Sequence, residues 1–145
     1  MKMLTAVLGV GMAVLATAAD FSLAEFGAKA DGSDCSAAIA RAVAACATGG
    51  GGRVIVPPGV WRTGRVELKS NVELHLEPGA ELRFVDDPQA YLPAVLTSFE
   101  GIECYNYSPL IYAFGMTNIA VTGEGRLVAE MDTWRRWGGR RKPAG

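Results

Sequence analysis

The sequence runs to 145 residues with a formal net charge of −1, half of its residues apolar and a fifth charged. That balance excludes a disordered chain, gives no reason to expect a nucleic-acid partner, and leaves room for one domain.

The chain opens on an export pattern. Lys2 supplies the positive start, Leu4 to Ala16 an apolar run, and Ala16-Thr17-Ala18 a small-residue cleavage site. The run is too short to cross a bilayer comfortably, so no membrane anchor is expected. Residues 1–18 are read as a signal peptide, with 19–145 as the mature chain, secreted or periplasmic. Gly9-Val10-Gly11 has no strand before it and is not a dinucleotide fingerprint.

A helix is predicted over residues 36–47, with Asp34 or Ser36 as its N-cap and the glycine run from Gly49 as its stop. Ile39, Val43 and Cys46 share one face, which suits a cap laid over the apolar end of a following structure. Cys35 and Cys46 stand at its two ends. Eleven helical steps of about 1.5 Å put them outside disulfide reach of roughly 7 Å. With Cys104 the only other cysteine, buried free thiols are expected. Gly49–Gly52 leads from helix to strand, the reverse of a phosphate-cradling loop, and reads as a connector.

Short apolar bursts follow at Val54-Ile55-Val56, Val66 and Leu68, Val72-Leu74-Leu76, then Ala80, Leu82 and Phe84. The last two alternate with polar residues, as strands buried on one face do. Pro57-Pro58-Gly59, Gly64, Ser70-Asn71 and Pro78-Gly79 break the bursts apart. Strands this short need neighbours stacked on them. An echo supplies some: Asn71-Val72-Glu73-Leu74 returns as Asn118-Ile119-Ala120-Val121, 47 residues later. That offset suggests about two coils of a parallel β-helix. Two strand–turn–strand units of a β-sandwich would produce the same pattern.

Few residues here carry chemistry. Asp86-Asp87 is the only adjacent acidic pair, but neighbours on an extended chain point to opposite faces, so it reads as a loop entrance. His75, the only histidine, lies on the polar face of its strand with no second metal ligand in view. Tyr105, Asn106 and Tyr107 are the candidate substrate-binding residues, because rings stack on sugar faces and an amide bonds hydroxyls. The alternative is that the tyrosines pack the long 85–109 excursion against the helix wall. Trp134 and Trp137 are expected to cover a coil side rather than bind sugar. Arg135, Arg136, Arg140, Arg141 and Lys142 crowd the end, whereas residues 19–134 hold eight basic and fifteen acidic residues. The tail reads as solvated, with no nucleic-acid partner.

Several segments together carry a family resemblance. They are Phe26-Gly27-Ala28-Lys29-Ala30-Asp31-Gly32, Gly50-Gly51-Gly52-Arg53-Val54-Ile55-Val56-Pro57-Pro58-Gly59, Leu68-Lys69-Ser70-Asn71-Val72-Glu73-Leu74-His75-Leu76 and Gly101-Ile102-Glu103-Cys104-Tyr105-Asn106-Tyr107-Ser108-Pro109. The chain resembles glycoside hydrolase family 28, the polygalacturonase-like hydrolases, over nearly all of residues 24–137. Two departures are a shorter turn at Asp31–Asp34 and the lack of an Asp-Gly after Gly125. The resemblance implies an all-β fold, a right-handed parallel β-helix with a short N-terminal capping helix, apparently truncated. It implies inverting hydrolysis of pectic polysaccharide or oligogalacturonide, without a cofactor or metal. The catalytic motifs of that family are Asn-Thr-Asp, an Asp-Asp pair after glycine, Gly-His-Gly and Arg-x-Lys. None of the four is read here, so no catalytic residue is assigned and inactivity alone is expected. A pectate-lyase-like enzyme and a non-catalytic carbohydrate-binding or adhesin fragment are the alternatives.

Overall fold

The computed structural model describes residues 19–138, with side chains as far as Arg136. The expected signal peptide, Arg140, Arg141 and Lys142, and the side chain of Trp137 lie outside the described residues. In chain order the elements are β1 (Ala19–Ser22), α1 (Ser36–Thr48), β2 (Gly52–Val56), β3 (Gly59–Thr63), β4 (Val66–Glu67), β5 (Val72–Leu76) and β6 (Ala80–Phe84). There follow β7 (Val95–Phe99), β8 (Ile102–Asn106), β9 (Ile111–Tyr112), β10 (Ala120–Gly123), β11 (Arg126–Ala129) and α2 (Asp132–Gly138).

The strands repeat through three walls, each of them parallel. One wall is ordered β1-β2-β5-β10, the second β3-β6-β11, and the third pairs β4 with β9. The chain visits them in a fixed cycle, β2-β3-β4 and then β5-β6-β9, before reaching β10 and β11. This is a right-handed parallel β-helix. Phe21, Val54, Leu74 and Val121 stand in register on the first wall, so successive coils take 33, 20 and 47 residues. The 47-residue echo is therefore one coil and not the two expected. The 33-residue coil contains α1. The 47-residue coil contains the antiparallel hairpin of β7 and β8, and without these insertions a coil needs only 20 residues.

The core is the interior of the coils. Val54, Val56, Val72, Leu74, Leu82 and Phe84 are all essentially inaccessible to solvent. Strand β5 alternates as anticipated, with Val72, Leu74 and Leu76 inward and Glu73 and His75 outward. Strand β6 departs from that pattern: Glu81, on its outer face, is buried as well, beneath Arg83 and Arg126, which both pair with its carboxylate.

Helix α1 closes one end of this interior. Ile39, Val43 and Cys46 are buried on the predicted face, together with Ala38 and Ala42, and α1 packs against β1, β2, β4 and β5. Its N-cap is Cys35, which makes no side-chain capping bond. Asp34 acts from one position earlier, its Oδ1 accepting from the Ser36 N–H at 2.9 Å. Ser36 in turn accepts at Oγ from the Gly64 N–H at 2.8 Å, which pins the helix start to the end of β3. Two of the three thiols, Cys35 and Cys46, are buried and free as expected, and burial raises the Cys46 thiol pKa. Cys104 is a correction: it is free but only half-buried, because it sits on the hairpin rather than in the coils.

Two corner types keep the coils in step. Asn71 and Asn118 both adopt left-handed backbone, φ 64° and 53°, a conformation that asparagine tolerates better than most residues. Asn118 Nδ2 donates to Asn71 Oδ1 at 2.9 Å, so the two corners are stacked rungs. At Gly52 and Gly123 the chain enters and leaves the first wall at close quarters. A Cβ at Gly123 would lie 1.9 Å from the Leu76 carbonyl oxygen, and one at Gly52 would lie 2.2 Å from that of Ala19. Only glycine fits either place.

Candidate functional site

The 47-residue coil leaves the wall after Phe84 and returns at β9, and its insertion carries the aromatic residues of interest. Asp86 and Asp87 start it, each committed to backbone. Asp87 Oδ1 accepts from the Gln89 N–H at 2.9 Å and caps a 3-10 turn over Pro88–Tyr91. Asp86 Oδ2 accepts from the Thr133 N–H at 2.5 Å, holding the first turn of α2 against the insertion. The pair is a structural hinge between two elements, in keeping with the loop-entrance reading.

Tyr91, at the end of that turn, is 1% exposed and donates its hydroxyl to the Val85 carbonyl at 2.7 Å. Burial pushes its pKa up to about 12, and the nearby Asp86 carboxylate adds to the effect. Trp134 from α2 meets Tyr91 edge to face at 5.7 Å and Tyr107 likewise at 5.6 Å. Such aromatic pairs hold orientation beyond simple area burial. Around them opens a recess of about 580 Å³, lined by Tyr91, Asn106, Tyr107, Leu110, Met131 and Trp134 among others. Its chemistry is apolar surface with an amide at the rim, suited to a sugar face and a hydroxyl.

The three candidate residues do not form one site. Tyr105 and Asn106 are successive residues of β8 and so face opposite ways. Asn106 and Tyr107 line the recess, where Asn106 Oδ1 also accepts from the Tyr107 N–H at 2.8 Å. Tyr105 is 75% exposed on the other side of the hairpin. Trp134, expected to cover a coil side, instead joins Tyr107 and Tyr91 at the recess. Tyr91 was not anticipated at all. Its only signal is the Asp87-Pro88 start of a turn that swings the ring inward.

His75 stands apart on the outer face of the first wall. It is less exposed than a free strand position, with Nδ1 2.8 Å from Thr122 Oγ1 and 3.4 Å from the Glu73 carboxylate. Thr122 also donates to Glu73 at 2.5 Å. The three residues tie β5 to β10 across adjacent coils. No group of three or more metal-ligating side chains occurs among the described residues.

Two regions of the chain thus distinguish it, a β-helix of known handedness and an aromatic insertion at one coil. No family model matches the sequence. The exopolygalacturonase of Thermotoga maritima, a crystal structure, superposes on it with a TM-score of 0.79 and 48% identity, covering 83% of this chain and 28% of that one. The chain belongs with the family 28 polygalacturonase-like proteins. Among these relatives, the family 28 exopolygalacturonase of Yersinia enterocolitica matches with a TM-score of 0.63 and 31% identity, over 74% of this chain and 20% of its own. An exo-poly-alpha-D-galacturonosidase of Dickeya chrysanthemi is 41% identical over 75 residues, 48% of this chain and 12% of that protein. The chain therefore spans less than a third of the length of each of these family 28 relatives. Of the family's four catalytic motifs, one is present in letters after all: Arg140-Arg141-Lys142 spells Arg-x-Lys, outside the described residues and without the other three.

Proposed function

We propose that this chain is part of an exported polygalacturonase-like glycoside hydrolase acting on galacturonan-type pectic polysaccharide. The observation that carries this reading is the 48% identity and TM-score of 0.79 with an exopolygalacturonase. Export rests on the pattern from Lys2 to Ala18, and a mature N-terminus at Ala19 or Asp20, read by mass spectrometry of secreted protein, is its check.

Within that reading, the chain's own contribution is substrate contact at the recess of Asn106, Tyr107 and Trp134. It does not hydrolyse galacturonan by itself. Inversion needs an acid and a base set across the scissile bond, about 6.5–9.5 Å apart in most families. The one adjacent acidic pair, Asp86 and Asp87, is already engaged by the Thr133 and Gln89 amides.

Calorimetric titration with oligogalacturonide and a reducing-sugar assay on polygalacturonate test both halves. The expected outcome is binding without turnover, weakened roughly tenfold in Asn106→Ala/Tyr107→Ala by loss of one hydrogen bond and one stacked ring. Equal binding by that variant would remove the recess from the reading. Turnover that disappears in Asp86→Asn/Asp87→Asn would make those aspartates catalytic.

A further inference from the structure

A second concavity lies on the opposite side of the hairpin from the aromatic recess. Leu96, Thr97 and Ser98 of β7 and Glu103 of β8 form one bank, and Tyr112 of β9 with Ala113 and Phe114 beyond it forms the other. The cleft measures about 350 Å³, at the lower end of the range for small-ligand sites. Its banks are tied together: the Tyr112 hydroxyl donates to the Leu96 carbonyl at 3.1 Å. The hairpin register places Ser98 opposite Glu103 and Leu96 opposite Tyr105, so Tyr105 shares the face that Glu103 presents.

The side chains there suit a sugar ring. Phe114, 58% exposed, offers an open aromatic surface, and Ser98 and Glu103, opposite each other on one face of the hairpin, offer a hydroxyl and a carboxylate to sugar hydroxyls. Among the described residues lining the cleft, Glu103 is the only charged one. The adjoining strand β4 brings Glu67, whose carboxylate is paired with Lys69 at 2.5 Å and with Arg65 at 3.9 Å. A free uronate carboxylate would meet Glu103 with no cation in the lining to offset it. Esterifying that carboxylate removes its charge and adds a methyl group for which Phe114 is a partner.

We propose that this cleft is a subsite for an uncharged pyranose, namely a methyl-esterified galacturonosyl unit of pectin. The proposal rests on the galacturonan reading above and adds to it a selectivity for the esterified polymer. The carboxylate of Glu103 rejects the free acid, and Phe114 holds the ester methyl.

Residue-resolved NMR of the full chain separates this subsite from the recess. The probes are tetragalacturonate and its fully methyl-esterified counterpart, titrated while the amides of Ser98, Glu103 and Phe114 report the cleft and those of Asn106 and Tyr107 report the recess. Cleft amides should respond to the ester at least about tenfold more tightly than to the free acid, a preference that shrinks in high salt. In Glu103→Gln the preference should fall several-fold through tighter binding of the free acid. Phe114→Ala should weaken the ester at the cleft and leave the recess unchanged. Equal cleft affinities for the two probes, an undiminished preference in Glu103→Gln, or a silent cleft while the recess responds would overturn the proposal alone. Silence in both regions would overturn it together with the galacturonan reading.

Discussion

Asn71 and Tyr91 show how single side chains set this structure. Asn71 sits at φ 64°, where most residues with a Cβ are strained, and it accepts from Asn118 one coil away. One side chain thus eases a corner and joins two coils. Tyr91 does the corresponding work in the insertion, since its buried hydroxyl and ring are what the turn after Asp87 closes upon. Its folded pKa, about 12, lies above the roughly 10 of an unfolded tyrosine. The preference for neutral phenol is therefore fully kept below pH ~10 and lost as pH rises through about 12. Stability should drop by on the order of 2 kcal/mol over that window. Tyr91→Phe should flatten the alkaline limb, as read from urea midpoints measured across it. An unchanged alkaline slope in that variant would assign the loss to other groups.

At the scale of elements, α1 and the β7–β8 hairpin are both insertions into a coil that needs neither. Their roles differ with what they cover. Helix α1 places Ile39, Val43 and Cys46 over the open coil, and Ile39 is 2% exposed there. Ile39→Asp should destabilise the protein by about 3–5 kcal/mol, because an unpaired charge would face that interior. A thermal melt of the purified variant checks this, and an unchanged midpoint would mean that α1 is not a cap. The hairpin covers less, as the exposures of Phe99, Ile102 and Tyr105, 60%, 70% and 75%, show. It projects and divides the surface into the aromatic recess on one side and the Glu103 cleft on the other. Because strand residues alternate in direction, the consecutive candidates Tyr105 and Asn106 fall on different sides of that division.

For the whole molecule, the first wall runs β1-β2-β5-β10, and among the described residues β10 is paired on one side only. Val121, in register with the buried Leu74, is 43% exposed, and Leu127 on β11 is 48% exposed. Apolar edges of this kind associate with one another. Light scattering of the purified chain should show mass rising with concentration. Val121→Lys/Leu127→Lys should abolish the rise, with stability altered by only about 0.5 kcal/mol, as for ordinary surface changes. Persistent association in that variant would place the contact elsewhere, on the hairpin first of all.

Local patterns in the sequence determined strands β2, β4, β5 and β6, the corners, and helix α1 with its buried face, since each depends on neighbours a few residues apart. Strands β1 and β3 and the β7–β8 hairpin were not read from it. The Asn-led echo likewise marked equivalent corners, because a ladder repeats the residue that makes it. Coil length was beyond its reach. Forty-seven residues suit two plain coils or one coil with an insertion, and only the pairing of β10 directly on β5 decides between them. The site was legible to the same degree. Asn106 and Tyr107 could be singled out by residue type, but Trp134 and Tyr91 join them from 27 residues later and 16 residues earlier in the chain. Packing of both rings around one hinge, at Asp86 and Asp87, is a long-range event that no local spacing records.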